Sequence, residues 1–206
     1  MQLTENVYFY ENVIGKDTCN KIINLSNGQW KEGVIGYNKE TTNKIKRQSS
    51  IYWVEQQWVF NIVRKYIIQA NIDAGWNFDI SHMPPFQLTK YDKGDFYDYH
   101  VDGFSTIPYN REDLDELNGK VRKLSFSLLL NDTYEGGELE IGILGQKYLN
   151  SIPNLTSDMP EFTFNEVTKK PGSIIIFPSF LWHRVKLITN GNRYSLVGWA
   201  MGPPFK

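Results

Sequence analysis

Cysteine is almost absent from this 206-residue chain, which contains only Cys19. A single thiol excludes an internal disulfide framework and a cysteine-rich zinc site. Histidine is nearly as scarce: His82, His100 and His183 are the only imidazoles. Charge of one sign is lacking as well. The formal net charge is −1, which removes the global electrostatic footprint of a nucleic-acid binder. The one local basic run, Lys44-Ile45-Lys46-Arg47, reads as a solvated loop. Long apolar runs are missing too. The longest, such as Ile174-Ile175-Ile176-Phe177, are strand-sized and too short to cross a bilayer. The start, "MQLTENVYFYENV", has neither the basic residues nor the apolar stretch of a signal peptide. Together these absences predict a cytoplasmic protein with no nucleic-acid or membrane partner.

What is present is ordinary globular material, 41% hydrophobic and 22% charged, enough for a real core. The length suits a single domain over residues 1–206. Aromatic residues, at 15%, favour a core of large side chains and an aromatic-lined pocket.

The first 80 residues or so read as a helical support region. Asp17 can cap a short helix with Cys19, Ile22 and Ile23 on its apolar face, stopped at Asn27-Gly28. A longer helix follows from about Val54, with Val59, Ile62, Val63, Tyr66, Ile67 and Ala70 in one stripe and Asp73-Ala74-Gly75 closing it. Residues 30 to 50 read as a loop or exposed hairpin.

From Pro84 the pattern changes to short β-branched or aromatic runs divided by Gly, Asn, Asp and Pro: "FQLTKY", "FYDYHVD", "KLSFSLLLN", "GELEIGI", "SIIIFP", "WHRVKLI" and "RYSLVGWA". In the third run Leu124, Phe126, Leu128 and Leu130 share one face, and Ser125, Ser127 and Leu129 the other. A strand apolar outside and partly polar inside suits a barrel that packs on a helix and encloses a site. The predicted fold is therefore mostly β: a double-stranded β-helix, a cupin-like jelly roll over about 84–200, with the N-terminal helices packed on one sheet.

His100 and Asp102 stand two apart in "FYDYHVDGF". On an extended strand such residues point the same way. The pair is either half of a metal site or an ordinary buried hydrogen bond. A metal needs a third ligand. His82 precedes Pro84-Pro85, where nothing else converges, whereas His183 lies on a late strand that sheet closure can bring opposite His100. Two imidazoles and one carboxylate make the facial set of non-heme Fe(II) oxygenases, with three positions left open.

Arg193 begins the strand that follows, and Arg193, Ser195, Val197 and Trp199 share a face by twos. An arginine aimed into a barrel is an uncompensated charge unless a carboxylate meets it. The protein can supply that carboxylate, or an organic diacid such as 2-oxoglutarate can, bound bidentately. Two other readings of these residues stay open: a non-catalytic jelly-roll binding module, in which Arg193 is an internal ion pair, and a Zn²⁺ hydrolase, which leaves Arg193 without a purpose.

In order along the chain, "YDKGDFYDYHVDG", "LSFSLLLNDTYEGGELEI", "KKPGSIIIFPSFLWHRV" and "GNRYSLVGW" resemble the motifs of the prolyl 4-hydroxylase group of 2-oxoglutarate- and Fe(II)-dependent dioxygenases, especially its PKHD-type hydroxylases. The resemblance covers about Tyr91 to Trp199. It implies His100, Asp102 and His183 as iron ligands and Arg193 as the partner of the distal 2-oxoglutarate carboxylate. It also implies that Tyr91 reaches the co-substrate, that Ser125 is a small hydroxyl residue in its pocket, and that Arg122 and Trp199 lie near the target residue. By strand parity Arg122 is on the wrong face for the interior.

The implied activity is hydroxylation of an unactivated C–H bond with Fe(II), 2-oxoglutarate and O2, ascorbate as reductant, and succinate and CO2 as products. The implied target is a peptidyl proline on a protein or peptide, with a free amino acid or other small molecule as the alternative. There are departures. Leu129 stands where the oxygen-sensing members have a co-substrate tyrosine, and residues 103–121 and 142–168 are long. Residues 103–121, with the loop at 31–50, are expected to close over the iron, and long loops at a barrel mouth carry substrate selection.

Overall fold

The computed structural model describes residues 6–33, 46–103, 108, 115–142, 161–163 and 170–205. Both helices of the N-terminal region form, as α1 (Lys16–Asn24) and α2 (Gln57–Asp73), and turn the stripes their periodicity singles out to the core, with Ile23, Ile62 and Tyr66 only partly buried. Cys19 and Ile22 of α1 and Val59, Val63, Ile67 and Ala70 of α2 are all buried. Asp17 does not cap α1. Gly15 takes the N-cap position, and Asp17 lies in the first turn, where its charge faces the positive end of the helix dipole.

The region is less helical than its stripes suggest. Strand β1 (Tyr8–Tyr10) precedes α1, and β2 (Lys31–Glu32), β3 (Arg47–Gln48) and β4 (Ser50–Val54) separate the helices. Val54 belongs to β4, because Ile51, Tyr52, Trp53 and Val54 are β-branched or aromatic and fit a pleated surface. Arg47 is a further correction. It is 8% exposed on β3 and is not part of a solvated loop.

The β region then runs β5 (Phe86–Tyr91), β6 (Phe96–His100), β7 (Val121–Leu129), β8 (Tyr134–Gly136) and β9 (Leu139–Gly142). It continues through β10 (Glu161–Thr163), β11 (Ile174–Pro178), β12 (His183–Val185), β13 (Ile188–Gly191) and β14 (Arg193–Gly202). A seven-stranded sheet of order β1-β11-β7-β14-β5-β4-β2 faces a five-stranded sheet of order β10-β9-β12-β6-β3, and β13 and β8 form a separate ribbon. The pairings are antiparallel, which makes the double-stranded β-helix expected from the strand pattern.

The helices cover the outer face of the larger sheet. Leu124, Phe126, Leu128 and Leu130 pack there with Val59, Val63 and Ile67 in one cluster. Each such fully buried side chain contributes about 1.5–3 kcal/mol. The inner face carries Ser125, Ser127 and Leu129, as strand alternation requires. Among the described residues no helix is long and apolar enough to cross a membrane. Most of the three segments expected to govern closure and substrate selection, 31–50, 103–121 and 142–168, lies outside the described residues.

Candidate active site

Sheet closure sets His183 directly across from His100, as paired residues of β12 and β6. The strand spacing of His100 and Asp102 works differently from the simple alternation rule. β6 ends at His100, and Asp102 is held outside it by its own N–H and that of Gly103, which both donate to the Ser179 carbonyl, at 3.0 and 3.3 Å. The turn between β11 and β12 therefore fixes the carboxylate. One donor atom from each of His100, Asp102 and His183 lies within 4.8 Å of the others, a set able to hold a metal ion.

The imidazoles are oriented for ligation. His100 Nδ1 is 2.8 Å from the Asp98 carbonyl, and His183 Nδ1 is 3.0 Å from the Leu181 carbonyl. A carbonyl only accepts, so each Nδ1 carries a hydrogen and each Nε2 is the atom left to face the site. Those Nε2 atoms face Asp102, at 3.8 Å from Oδ1 for His100 and 3.4 Å from Oδ2 for His183. Burial and then the neighbouring His183 push the His100 pKa down to about 3, so this ring is neutral at physiological pH. Burial alone would raise the Asp102 carboxyl. His183, then His100 and Arg122, outweigh that and hold it well below the usual carboxylate range. Two imidazoles and an anionic carboxylate are donor chemistry suited to a divalent iron.

All three residues line one cavity of about 870 Å³, and Arg193 lines it too. The guanidinium is buried; Nη1 donates to Ser195 Oγ at 2.9 Å and Nε has no acceptor. No carboxylate among the described residues forms an ion pair with it. Tyr91, its partner across β5 and β14, is buried beside it with the ring centroid 5.7 Å from the guanidinium carbon. Burial raises the Tyr91 phenol, which stays a neutral hydroxyl. Gly137 provides the space. A Cβ there would stand 2.2 Å from Ile188 Cδ1 and 3.0 Å from Arg193 Cδ. The donor set and the unsatisfied guanidinium fit a divalent metal and a dicarboxylate bound in one chamber.

The remaining residues fall as follows. Ser125 lies behind Asp102 instead of beside Arg193: its hydroxyl is 2.7 Å from Asp102 Oδ2 and 2.9 Å from Ser179 Oγ. The hydroxyl beside Arg193 is that of Ser195. Arg122 lines the cavity despite its parity, because the β7–β14 register shifts between Ala200 and Met201. Such a bulge reverses the alternation. Its guanidinium carbon stands 3.7 Å from the Trp199 ring centroid, and Nη1 donates to the Asp102 carbonyl at 2.8 Å. His82 also reaches the cavity and pairs with Glu116 at 3.6 Å, contrary to its isolation in the sequence.

Two residues that sequence reasoning missed complete the chamber wall. Tyr97 stacks on His100 with ring centroids 3.5 Å apart and planes at 13°. Arg47 lies over the other ring in turn, 4.6 Å from the Tyr97 centroid, and donates to Ser49 and Gln87. The irregular β6–β12 register, in which Tyr97 pairs with Val185 and His100 with His183, puts residues three apart on one face. No local pattern signals that.

The 2OG-Fe(II) oxygenase superfamily model matches residues 86–201, more than half of the chain. A PKHD-type hydroxylase of Synechococcus sp. strain CC9311 is 31% identical over 146 residues, covering 66% of this chain and 54% of its own length. A PKHD-type hydroxylase of Hyphomonas neptunium is 25% identical over 197 residues, covering 92% and 75%. The chain thus spans about half the length of the first of these relatives. Among solved structures, a Pseudomonas putida prolyl-4-hydroxylase superposes with a TM-score of 0.65 at 18% identity, over 96% of this chain and 92% of that one. A Trichoplax adhaerens prolyl hydroxylase, in complex with a hypoxia inducible factor peptide fragment, gives 0.65 at 20% identity, over 96% and 84%. At those identities the likeness is one of fold.

Proposed function

Because the chain belongs to the 2OG-Fe(II) oxygenase superfamily, we propose that it is a dioxygenase hydroxylating an unactivated C–H bond of a peptidyl proline, with succinate and CO2 as co-products. One observation carries this: a single cavity holds both a two-imidazole, one-carboxylate donor set and a buried guanidinium that no described carboxylate meets. When bound, Fe(II) and 2-oxoglutarate supply O2 activation coupled to decarboxylation of the keto acid.

The chain's own residues bind, orient and exclude water. His100, Asp102 and His183 hold the iron. Arg193 takes the far carboxylate of 2-oxoglutarate through Nε and its free Nη, while Ser195 fixes the plane of the fork. Tyr91 closes that end with a neutral ring. Ser125 donates to Asp102 Oδ2 and fixes the direction of the carboxylate. Trp199, with Arg122 laid on its ring, forms the wall against which the target ring rests. Ascorbate keeps the iron divalent, and the reducing cytoplasm is the fitting compartment. The prolyl hydroxylases that share the fold support proline as the target, as does the apolar surface of Trp199.

The test is mass spectrometry of proline-containing peptides and of free amino acids after turnover with Fe(II), 2-oxoglutarate and ascorbate. Peptides gaining one oxygen in step with succinate are expected, with the gain lost in His100→Ala, Asp102→Ala and His183→Ala that keep a native circular dichroism spectrum. Oxygen gain on free amino acids alone, or near wild-type turnover in any one of the three variants, overturns the corresponding assignment.

A further inference from the structure

The inner face of the larger sheet continues well past the donor set. Ser127 of β7, Val197 of β14, Gln87 of β5 and Trp53 of β4 are successive register partners in one row, and all four line the cavity. The row ends at Trp53, which is 42% exposed. Its neighbours Tyr52 and Val54 turn the other way and pack on the helix-side core, so the indole is not a spare piece of that core. Pro84 and Pro85, which precede β5, line the same cavity. Among the exposed large apolar side chains of the described residues, it alone lines the cavity of the donor set.

Distance gives this placement its meaning. Neighbouring strands lie about 4.8 Å apart, so the three steps from β7 to β4 cover about 14 Å. Asp102 is hydrogen-bonded to Ser125, two residues before Ser127 on β7. Trp53 therefore stands on the order of 15 Å from the donor set. A free amino acid spans no more than about 7 Å and cannot touch both. A polyproline II segment advances about 3.1 Å per residue, and about five residues bridge the gap. Proline-rich segments of that conformation dock in aromatic-lined grooves.

We propose that Trp53, with Pro84 and Pro85, is a second substrate subsite that seats a proline ring about five residues from the one being hydroxylated, and so selects proline-rich peptides over free amino acids and short peptides. This rests on the hydroxylase function proposed above and deepens it.

The probes are free L-proline and blocked oligoprolines of three and nine residues. Binding is measured by calorimetry, and kcat and KM by succinate release, with wild type, Trp53→Ala and Trp53→Phe. The nonamer should bind wild type about tenfold more tightly than the trimer, the scale of one stacked aromatic contact. Trp53→Ala should lose that advantage through KM, with kcat little changed, and Trp53→Phe should keep most of it. Succinate formed without any peptide should be the same in all three proteins. Equal affinity of wild type for trimer and nonamer, or an undiminished advantage in Trp53→Ala, overturns the subsite. Failure of wild type to form succinate from 2-oxoglutarate would instead remove the hydroxylase function itself.

Discussion

Replacing Arg193 with methionine should make the free protein more stable while abolishing its response to 2-oxoglutarate. The guanidinium is 3% exposed, has one hydrogen bond, to Ser195 at 2.9 Å, and leaves Nε without an acceptor. The Tyr91 and Tyr134 rings stand 5.7 and 6.0 Å away, at the outer limit of a useful cation–π contact. A buried donor left unpaired costs about 1–3 kcal/mol, and a single retained hydrogen bond returns about 1 kcal/mol. Methionine keeps most of the apolar stem and removes the charge. The expected net gain is about 1–2 kcal/mol, which for a chain of this length raises Tm by about 3–6 °C. Ligand reverses the order. At a hundredfold its Kd, 2-oxoglutarate adds about 2.7 kcal/mol to the wild type and nothing to the variant. Thermal unfolding of both proteins with a divalent metal, with and without 2-oxoglutarate, gives four midpoints to compare. A variant less stable than wild type without ligand, or one whose midpoint 2-oxoglutarate still raises, means that the charge of Arg193 is already compensated, and the co-substrate role assigned to it fails.

Ser125→Ala should weaken Co(II) binding, followed by its visible spectrum, by about ten- to a hundredfold, as loss of a hydrogen bond to a ligand does; an unchanged affinity would show that Ser125 does not position Asp102. Gly172→Ala should lower stability by more than about 3 kcal/mol in chemical unfolding, because φ there is +84° and a Cβ would stand 1.8 Å from the Ile14 carbonyl oxygen; a loss under about 1 kcal/mol would mean that β1 and its turn simply shift. Glu140→Gln should cost about 1–3 kcal/mol at neutral pH, a buried-pair loss discounted for partly exposed partners, since Glu140 accepts from Arg184 Nε at 2.6 Å and faces Lys186 Nζ at 2.5 Å. Burial raises that carboxyl, but Lys186 and Arg184 outweigh it and hold it below its ordinary value. Its stabilisation is therefore full above the unfolded pKa and lost as pH falls through the folded one; an acid-unfolding profile identical in wild type and Glu140→Gln would refute this.

Much of this architecture is legible where local pattern and tertiary role agree. "FQLTKY" is β5 to the residue, and the stripe from Val59 to Ala70 is the buried side of α2. The parity of Leu124, Phe126 and Leu128 places one face of β7 under the helices. His183 could be set opposite His100 because antiparallel closure leaves a late strand few partners. What escapes is whatever a local pattern cannot carry. Arg47 looks like part of a solvated basic run, and its burial depends on Gln87 and Tyr97, supplied by strands 40 and 50 positions away. Arg122 is misplaced by parity because a register shift opposite Ala200 and Met201 reverses the alternation. Ser125 and Ser127 read alike on one strand, and only the turn at Ser179 decides that Ser125 meets Asp102. β4 merges with the start of α2 in the sequence because Val54 suits either period.

The central claim is that His100, Asp102 and His183 hold one iron and that Arg193 completes a 2-oxoglutarate site on it. Anaerobic calorimetric titration of Fe(II) and then 2-oxoglutarate tests both halves together. Wild type should bind one Fe(II) per chain and should bind 2-oxoglutarate strongly only once iron is present, while His183→Ala should lose both events with its fold intact. Strong binding of 2-oxoglutarate without iron, or unaltered Fe(II) binding in His183→Ala, would contradict the account.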